Sequence, residues 1–154
     1  MVWGRIVLAA AAALLGLAAG GSSALAQVNS SELKWGPAPP GLPAGAQLAV
    51  LSGDPGKPGL FTVRIKFPAG YTVPPHHHPA DEMVTVLEGD FALGMGDKVD
   101  REAMTVLKPG GYALAAKTMN HYVTSAGGGV VQITSMGPFQ IIYANAKDDP
   151  RGAK

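Results

Sequence analysis

The chain has only four histidines, and three of them are adjacent. These three are His76, His77 and His78, and Glu82 follows four residues after the last. On an extended backbone, residues two apart point the same way, so His76 and His78 share one face and His77 takes the other. Two imidazoles whose Cα atoms are about 6.5–7 Å apart can converge on one ion, since metal–nitrogen bonds are about 2.0–2.1 Å for zinc.

Glu82 and His121 can complete a set of metal ligands. Residues 79–81 allow a bend, after which Glu82 opens the next run and can return a carboxylate to the same point. Val84 and Val86 share its face, and an ionised carboxylate beside an apolar wall is reasonable if a cation neutralises it. His121 begins another short run and closes the set if that strand lies beside the others. The alternative is a solvated histidine loop with His121 as an ordinary strand residue.

The elements that must position these residues are short β-strands. All 13 prolines and most of the 21 glycines lie after residue 26, which is too dense for long helices. Leu60–Phe67 alternates apolar and polar residues, as a half-buried strand does. Similar runs recur about every 8–12 residues, which is typical of a sandwich or barrel. The other predicted strands are Gln47–Ser52, Glu82–Leu87, Asp90–Met95, Met104–Leu107, Tyr112–Ala116, His121–Ser125, Val130–Ser135 and Phe139–Tyr143.

The first 26 residues have the layout of a secretory signal peptide. A positively charged start that ends at Arg5 precedes an apolar run, Ile6–Ala19, and the small-x-small triplet Ala24–Ala26. The run is shorter than the ~20 residues that span a bilayer, which argues against a membrane anchor. We predict cleavage after Ala26, which leaves the mature protein periplasmic or secreted and free of the membrane.

The rest of the chain divides into three parts. Residues 27–46 form a Pro/Gly-rich arm, residues 47–146 a single β-domain, and residues 147–154 a polar tail. The arm either packs Trp35 on the domain or on a second subunit, or it is a disordered leader.

Composition excludes several classes of function. Twelve Lys and Arg against eleven Asp and Glu give a net charge of +1, so there is no electrostatic reason to expect nucleic acid as a partner. The chain has no cysteine, which excludes disulfides, thiolate metal sites and cysteine nucleophiles.

The histidine segment resembles the first motif of the cupin family. Gly70, His76, His78, Glu82 and Gly89 give the pattern G-x5-H-x-H-x3-E-x6-G. The spacing agrees at every position.

The second cupin motif, G-x5-P-x-G-x2-H-x3-N, is matched in part. Gly110 and His121 stand at the right spacing, whereas Ala116, Thr118 and Ser125 occupy the Pro, Gly and Asn positions. The histidine of the motif is present, but the turn residues before it are not.

The resemblance implies an all-β protein with a single cupin jelly-roll barrel after the signal peptide, and a homodimer. It implies one divalent transition metal ion held by His76, His78, Glu82 and His121. Imidazole and carboxylate ligands without sulfur suit Fe, Mn, Ni, Cu or Zn.

The function expected of such a site follows from what surrounds it. The inferred pocket is apolar and poor in further acids or bases, which favours a small, partly apolar or aromatic substrate and chemistry supplied by the ion and oxygen. We expect a metal-dependent oxidoreductase of the quercetin-dioxygenase-like type. The alternative is a cupin that binds metal or a small ligand without turnover; a metal-dependent decarboxylase or hydrolase is a further alternative.

Overall fold

The structure is a computed structural model that describes residues 27–152. The predicted signal peptide, residues 1–26, and the last two residues of the predicted tail lie outside this range. Within it the fold is all-β, as predicted, with two three-residue 3-10 helices, Ser30–Glu32 and Ala146–Asp148. No helix in this part of the chain is long and apolar enough to cross a membrane. The strands are β1 (Gly36–Pro37), β2 (Gln47–Ser52), β3 (Gly59–Phe67), β4 (Tyr71–His77), β5 (Glu82–Gly89), β6 (Phe91–Met95), β7 (Thr105–Leu107), β8 (Tyr112–Ala115), β9 (His121–Ser125), β10 (Gly129–Gly137) and β11 (Ile142–Tyr143).

The strands form two antiparallel sheets. The first has the order β1-β2-β3-β10-β5-β8 and the second the order β11-β4-β9-β6-β7. Both sheets combine strands that are distant in sequence, as where β10 inserts between β3 and β5. Residues that are far apart in the described part of the chain therefore line one interior.

The hydrophobic core follows the period-two pattern of the strands. Phe61, Val63, Ile65 and Phe67 of β3 are all buried, and the residues between them are half-buried or exposed. Each such side chain contributes about 1.5–3 kcal/mol when it is fully removed from water. The alternation in Leu60–Phe67 therefore determines which face of β3 lines the interior.

The Pro/Gly-rich arm packs against the barrel. Leu42 and Ala46 are buried within the core cluster, and the hydroxyl of Tyr143 donates to the carbonyl of Gly41 at 2.8 Å. Trp35 lies under Lys66, whose Nζ is 4.5 Å from the ring centroid. The arm thus covers part of the interior.

Two segments differ from the predicted strands. The predicted strand Phe139–Tyr143 is wrong in its first half, since only Ile142–Tyr143 forms a strand. Phe139 instead donates its backbone N–H to Pro55 at 2.7 Å, so this stretch is tied to a loop rather than to a neighbouring strand. Tyr71–His77, which the alternation did not predict, forms β4.

Candidate metal centre

A β-bulge in β4 directs two of the adjacent histidines into the barrel. Val73 and His76 are three residues apart, but their partners on β9 are only two apart. The extra residue lies in the Pro74–Pro75 pair, and prolines have no backbone N–H to lose from the ladder. The bulge shifts the alternation by one residue, so His76 and His78 are buried on the same side as Val73.

His121 meets these two histidines from the neighbouring strand. It is the register partner of His76, and the centroids of these two rings are 4.3 Å apart. The His78 ring is 5.0 Å from that of His76 and 5.3 Å from that of His121. One ring nitrogen from each histidine lies within 4.8 Å of the other two. The structure therefore gathers three buried imidazoles that can hold one metal ion.

Backbone carbonyls hold each of the three imidazoles through Nδ1. The Nδ1–O distances are 2.7, 2.7 and 3.1 Å for His76, His78 and His121. The acceptors are the carbonyl oxygens of Pro74, Gln140 and Met119, respectively. Because a carbonyl oxygen can only accept, each ring carries its proton on Nδ1 and leaves the Nε2 lone pair free, as in metal-binding histidines.

Glu82 reaches the same point from the opposite sheet. Its Oε2 is 3.5 Å from Nε2 of His78 and 3.5 Å from Nε2 of His121. These are ion-pair contacts, and both buried Nε2 atoms have no hydrogen-bond partner among the described residues. Two ligands bonded to one ion at about 2.1 Å and at a tetrahedral angle lie about 3.4 Å apart. The orphaned nitrogens and the nearby carboxylate oxygen therefore fit a shared ion.

The pKa values favour metal-binding forms of two of these residues. Burial lowers the pKa of His76 to about 3, with a further contribution from His121. Burial would raise the pKa of Glu82, but His78 and His121 outweigh it and hold that pKa well below its usual range. Burial also opposes a charged His78, yet Glu82 raises its pKa above the ordinary value. A neutral His76 and an ionised Glu82 are the forms that bind a metal, and an ion must displace any proton on His78.

The interior around the centre is apolar. Apart from the three histidines and Glu82, every side chain that lines the cavity is apolar, among them Ile65, Val84 and Ile133. Among residues 27–152, no further acid or base lines it. The cavity itself has a volume of about 30 Å³. The arrangement is an apolar chamber with three imidazoles and one carboxylate, a donor set that suits Fe, Mn, Ni, Cu or Zn.

His77 faces away from this chamber, as the alternation from His76 to His78 predicts. Its Nδ1 lies 2.7 Å from Oδ1 of Asn120, whose Nδ2 donates to Asp97 at 2.7 Å. The fourth histidine is thus hydrogen-bonded on the outer surface and is not part of the buried group.

The turn before His121 keeps a left-handed residue although it lacks glycine. Thr118 stands where the second cupin motif has Gly, and its φ is +63°, a conformation that is unusual for a β-branched residue. Its backbone N–H donates to the carbonyl of His78 at 2.9 Å. In the same turn, the backbone N–H of Lys117 donates to the Asp81 carboxylate at 2.8 Å. These hydrogen bonds connect the approach to His121 with the segment that carries His78.

Two residues that support the centre were not found from the sequence. Ser135 is buried on β10 and donates its hydroxyl at 2.7 Å to the carbonyl of Asp81, the residue before Glu82. Phe139 stacks on His78 with ring centroids 4.7 Å apart. A serine within an apolar alternation was an available signal for Ser135. Contact between Phe139 and His78 depends on a long-range approach that local spacing does not encode.

Comparison with solved structures shows that the chain has the cupin fold, the fold that the resemblance implies. An RmlC-like cupin from Shewanella frigidimarina is 20% identical, with a TM-score of 0.55 over 71% of this chain and 87% of that one. The polyketide cyclase RemF from Streptomyces resistomycificus has a TM-score of 0.63 at 16% identity, over 80% and 88% of the two chains. An oxalate oxidase has a TM-score of 0.57 at 18% identity, over 91% and 73%. At these identities the likeness establishes the fold and not the activity.

Within that fold class, the chain belongs to the family described as a domain of unknown function, DUF4437, which matches residues 18–142. The matched range includes the four residues of the candidate centre. No curated protein matches the chain in sequence.

Proposed function

We propose that this protein is an exported metal-dependent oxidoreductase, similar to a dioxygenase, that acts on a small organic substrate. One observation carries the proposal: three imidazoles, each fixed through Nδ1 by a carbonyl, face an apolar chamber, and Nε2 of His78 and of His121 lies 3.5 Å from the Glu82 carboxylate. His76, His78, His121 and Glu82 would hold the ion. A redox-capable ion bound there would supply electron transfer between substrate and oxygen.

The protein residues contribute position and a dry environment. The carbonyl contacts hold each imidazole in one tautomer and orientation, which raises its basicity toward a metal. The apolar lining excludes bulk water and strengthens electrostatic interactions within the chamber. No acid or base other than the four candidate ligands lines the chamber among the described residues. This favours oxidation over reactions such as epimerisation, which require a separate protein acid and base.

A second candidate function is metal or small-ligand binding without turnover. It is favoured by the size of the chamber, since a volume of about 30 Å³ has room for little more than an ion and a water or two. The similarity to an oxalate oxidase and a polyketide cyclase supports catalysis only at the level of the fold.

Elemental analysis of protein from its native compartment, followed by oxygen-uptake assays, tests the proposal. Protein loaded with Fe(II), Mn(II), Ni(II) or Cu(II) is assayed with catechols and flavonols, beside the variants His78→Ala and His77→Ala. We expect uptake in wild type and in His77→Ala, and none in His78→Ala. Stoichiometric metal without uptake for any ion would favour the binding function instead.

Two further parts of the proposal are export, which rests on the layout of residues 1–26, and a homodimer, which rests on the cupin resemblance. N-terminal sequencing of the exported protein tests export, with Gln27 as the expected first residue. Sedimentation of the exported protein should then give twice the mass of the mature chain.

A further inference from the structure

A substrate larger than a few atoms does not fit in the chamber as the structure has it. A cavity needs roughly 10–15 Å³ to hold one water, and the chamber offers about 30 Å³. An organic molecule must therefore bind beside the chamber, or a wall of the chamber must move.

A second cavity of about 290 Å³ adjoins the chamber; we call it the vestibule. It is lined by the arm, by the loop at Pro55–Gly56 and by the segment that follows β10. Three residues, Leu42, Phe139 and Ile141, line both cavities and therefore separate them. The vestibule has a volume near the lower end of small-molecule sites, which are about 300–1,000 Å³.

Phe139 forms the aromatic part of this partition. Its ring stacks on His78 at a 4.7 Å centroid distance and meets the edge of Phe61 at 5.4 Å. Its backbone is anchored separately, through the hydrogen bond to Pro55 at 2.7 Å. A rotation of the ring about χ1 would open a path to His78 without breaking this backbone hydrogen bond.

The lining determines what the vestibule can bind. It is apolar apart from Gln140 and the guanidinium of Arg151. Nε and Nη2 of Arg151 donate to the Asp149 carboxylate and to the carbonyl of Ile141. Nη1 has no recorded acceptor among the described residues, and it lies 3.8 Å from the position that a Cβ on Gly41 would take. The vestibule thus presents an apolar wall with one free N–H donor group at its edge.

We propose that the vestibule binds a small aromatic molecule that carries an oxygen acceptor, with the ring against the apolar wall and the oxygen at Arg151 Nη1. That this molecule is the substrate rests on the proposed function; that it binds in the vestibule does not. Because Asp149 already balances the charge of Arg151, a neutral carbonyl is accepted as well as a carboxylate.

Titration calorimetry with benzoate, benzamide and toluene tests this assignment on the exported mature protein, with and without metal. We expect both oxygen-bearing probes to bind, and toluene to bind about tenfold more weakly because it lacks the hydrogen bond. Arg151→Met should reduce benzoate affinity to that of toluene. The matched variant Lys147→Met removes the same charge from the exposed helix Ala146–Asp148, outside the vestibule, and should change nothing.

A second experiment fills the vestibule with a larger side chain. A Cβ on Gly41 meets only ordinary contacts, at 3.6 Å or more, and Gly36 on the same arm has nothing within 4 Å. We expect Gly41→Leu to weaken benzoate binding at least tenfold and Gly36→Leu to leave the affinity unchanged. Melting curves check that both variants fold. Equal benzoate affinity in the two leucine variants, or no binding of any probe at millimolar concentration, would overturn the proposal that the vestibule is the binding site. Binding that is lost in Gly41→Leu without oxygen uptake in wild type sustains the vestibule and counts only against the oxidoreductase.

Discussion

Strands β4 and β9 have an inner face toward the chamber and an outer face away from it. Polar side chains on the two faces differ in whether they have hydrogen-bond partners. On the inner face, His78 and His121 each keep a buried Nε2 without a hydrogen-bond partner among the described residues. On the outer face, His77 bonds through Nδ1 to a side-chain amide at 2.7 Å, and the Tyr122 hydroxyl lies 3.0 Å from both the N–H and the carbonyl of Asp100. An unpaired buried polar group costs about 1–3 kcal/mol. The hydrogen-bonded groups of the outer face therefore maintain structure, whereas the two unpaired nitrogens of the inner face are available to bind a ligand.

Removing one histidine from each face gives the largest expected contrast. We expect His78→Ala to lose nearly all bound metal, because it removes a ligand, and His77→Ala to retain it. A ligand at 100 times its Kd stabilises the folded state by about 2.7 kcal/mol, so the metal-dependent rise in melting temperature should disappear only in His78→Ala. Elemental analysis and paired melting curves, with and without metal, measure both effects.

His77→Ala is the matched control for this contrast. It should cost about 1 kcal/mol of unfolding free energy through the lost contact with Asn120. If His77→Ala strips the metal as thoroughly as His78→Ala, the register of β4 described above is wrong.

Acid should lower the unfolding free energy of the metal-free protein through the titratable groups of the inner face. Burial holds the pKa of His76 at about 3 in the folded state, below the ordinary 6.5. Between these two pH values only the unfolded state binds this proton, so the folded state loses stability as the pH falls. Glu82, with a lowered pKa, acts in the same direction below pH 4.5, whereas the raised pKa of His78 opposes it. Each uncompensated proton costs about 1.4 kcal/mol per pH unit.

Urea unfolding between pH 7 and 3 tests this dependence. We expect the unfolding free energy to fall across the range, and to fall less steeply in His76→Phe. Curves of equal slope in the two proteins would show that His76 titrates in the folded state as it does in the unfolded chain.

A smaller effect is expected when a hydroxyl is removed from the outer face of β9. Tyr122→Phe removes the two hydrogen bonds to Asp100 and should lower the unfolding free energy by about 1 kcal/mol. Metal content should stay at the wild-type level, since the hydroxyl lies on the face opposite His121. A drop in metal content would show that the two faces are coupled through β9.

The smallest expected effect concerns the turn that leads into β9. Thr118→Gly should raise the unfolding free energy by about 0.5 kcal/mol, because a left-handed residue other than glycine costs about 1–2 kcal/mol and glycine offsets part of this gain through its own entropy. Thr118→Ala removes the hydroxyl but keeps the strain, so it should bring no gain. Urea denaturation of both variants measures the difference.

The fold and the members of the candidate centre could be predicted because their signals are local. Alternation in Leu60–Phe67 identifies a buried strand face, and the spacing of His76, His78 and Glu82 specifies a shared point on two successive strands. His121 was a candidate from its position at the start of a short run, but only the cupin resemblance places that run beside β4. The structure agrees with this expectation to the extent that it brings the four side chains together.

Other features of the centre depend on contacts that the sequence does not encode locally. The carbonyls that hold Nδ1 are backbone groups, and every residue carries one, so no residue type marks them. The sequence predicts a strand that includes Phe139 and Gln140. They do not form one, because the backbone N–H of Phe139 bonds to Pro55 and both residues line a cavity together with the arm. The missing Gly at position 118 suggested an altered turn, but hydrogen bonds to neighbouring segments hold Thr118 in the conformation that Gly would adopt.

The bulge at Pro74–Pro75 makes the chemistry of β4 depend on strand pairing as well as on residue identity. If both prolines paired regularly with β9, every later residue of the strand would rotate by half a period. His77 would then point inward while His76 and His78 faced solvent, and the centre would be lost although every histidine remained. Deleting one proline has the opposite outcome, because it removes the extra residue and leaves Val73 and His76 two positions apart, as their partners on β9 are. Related chains that share the centre should therefore have either both residues with the bulge or one residue with regular pairing at this point.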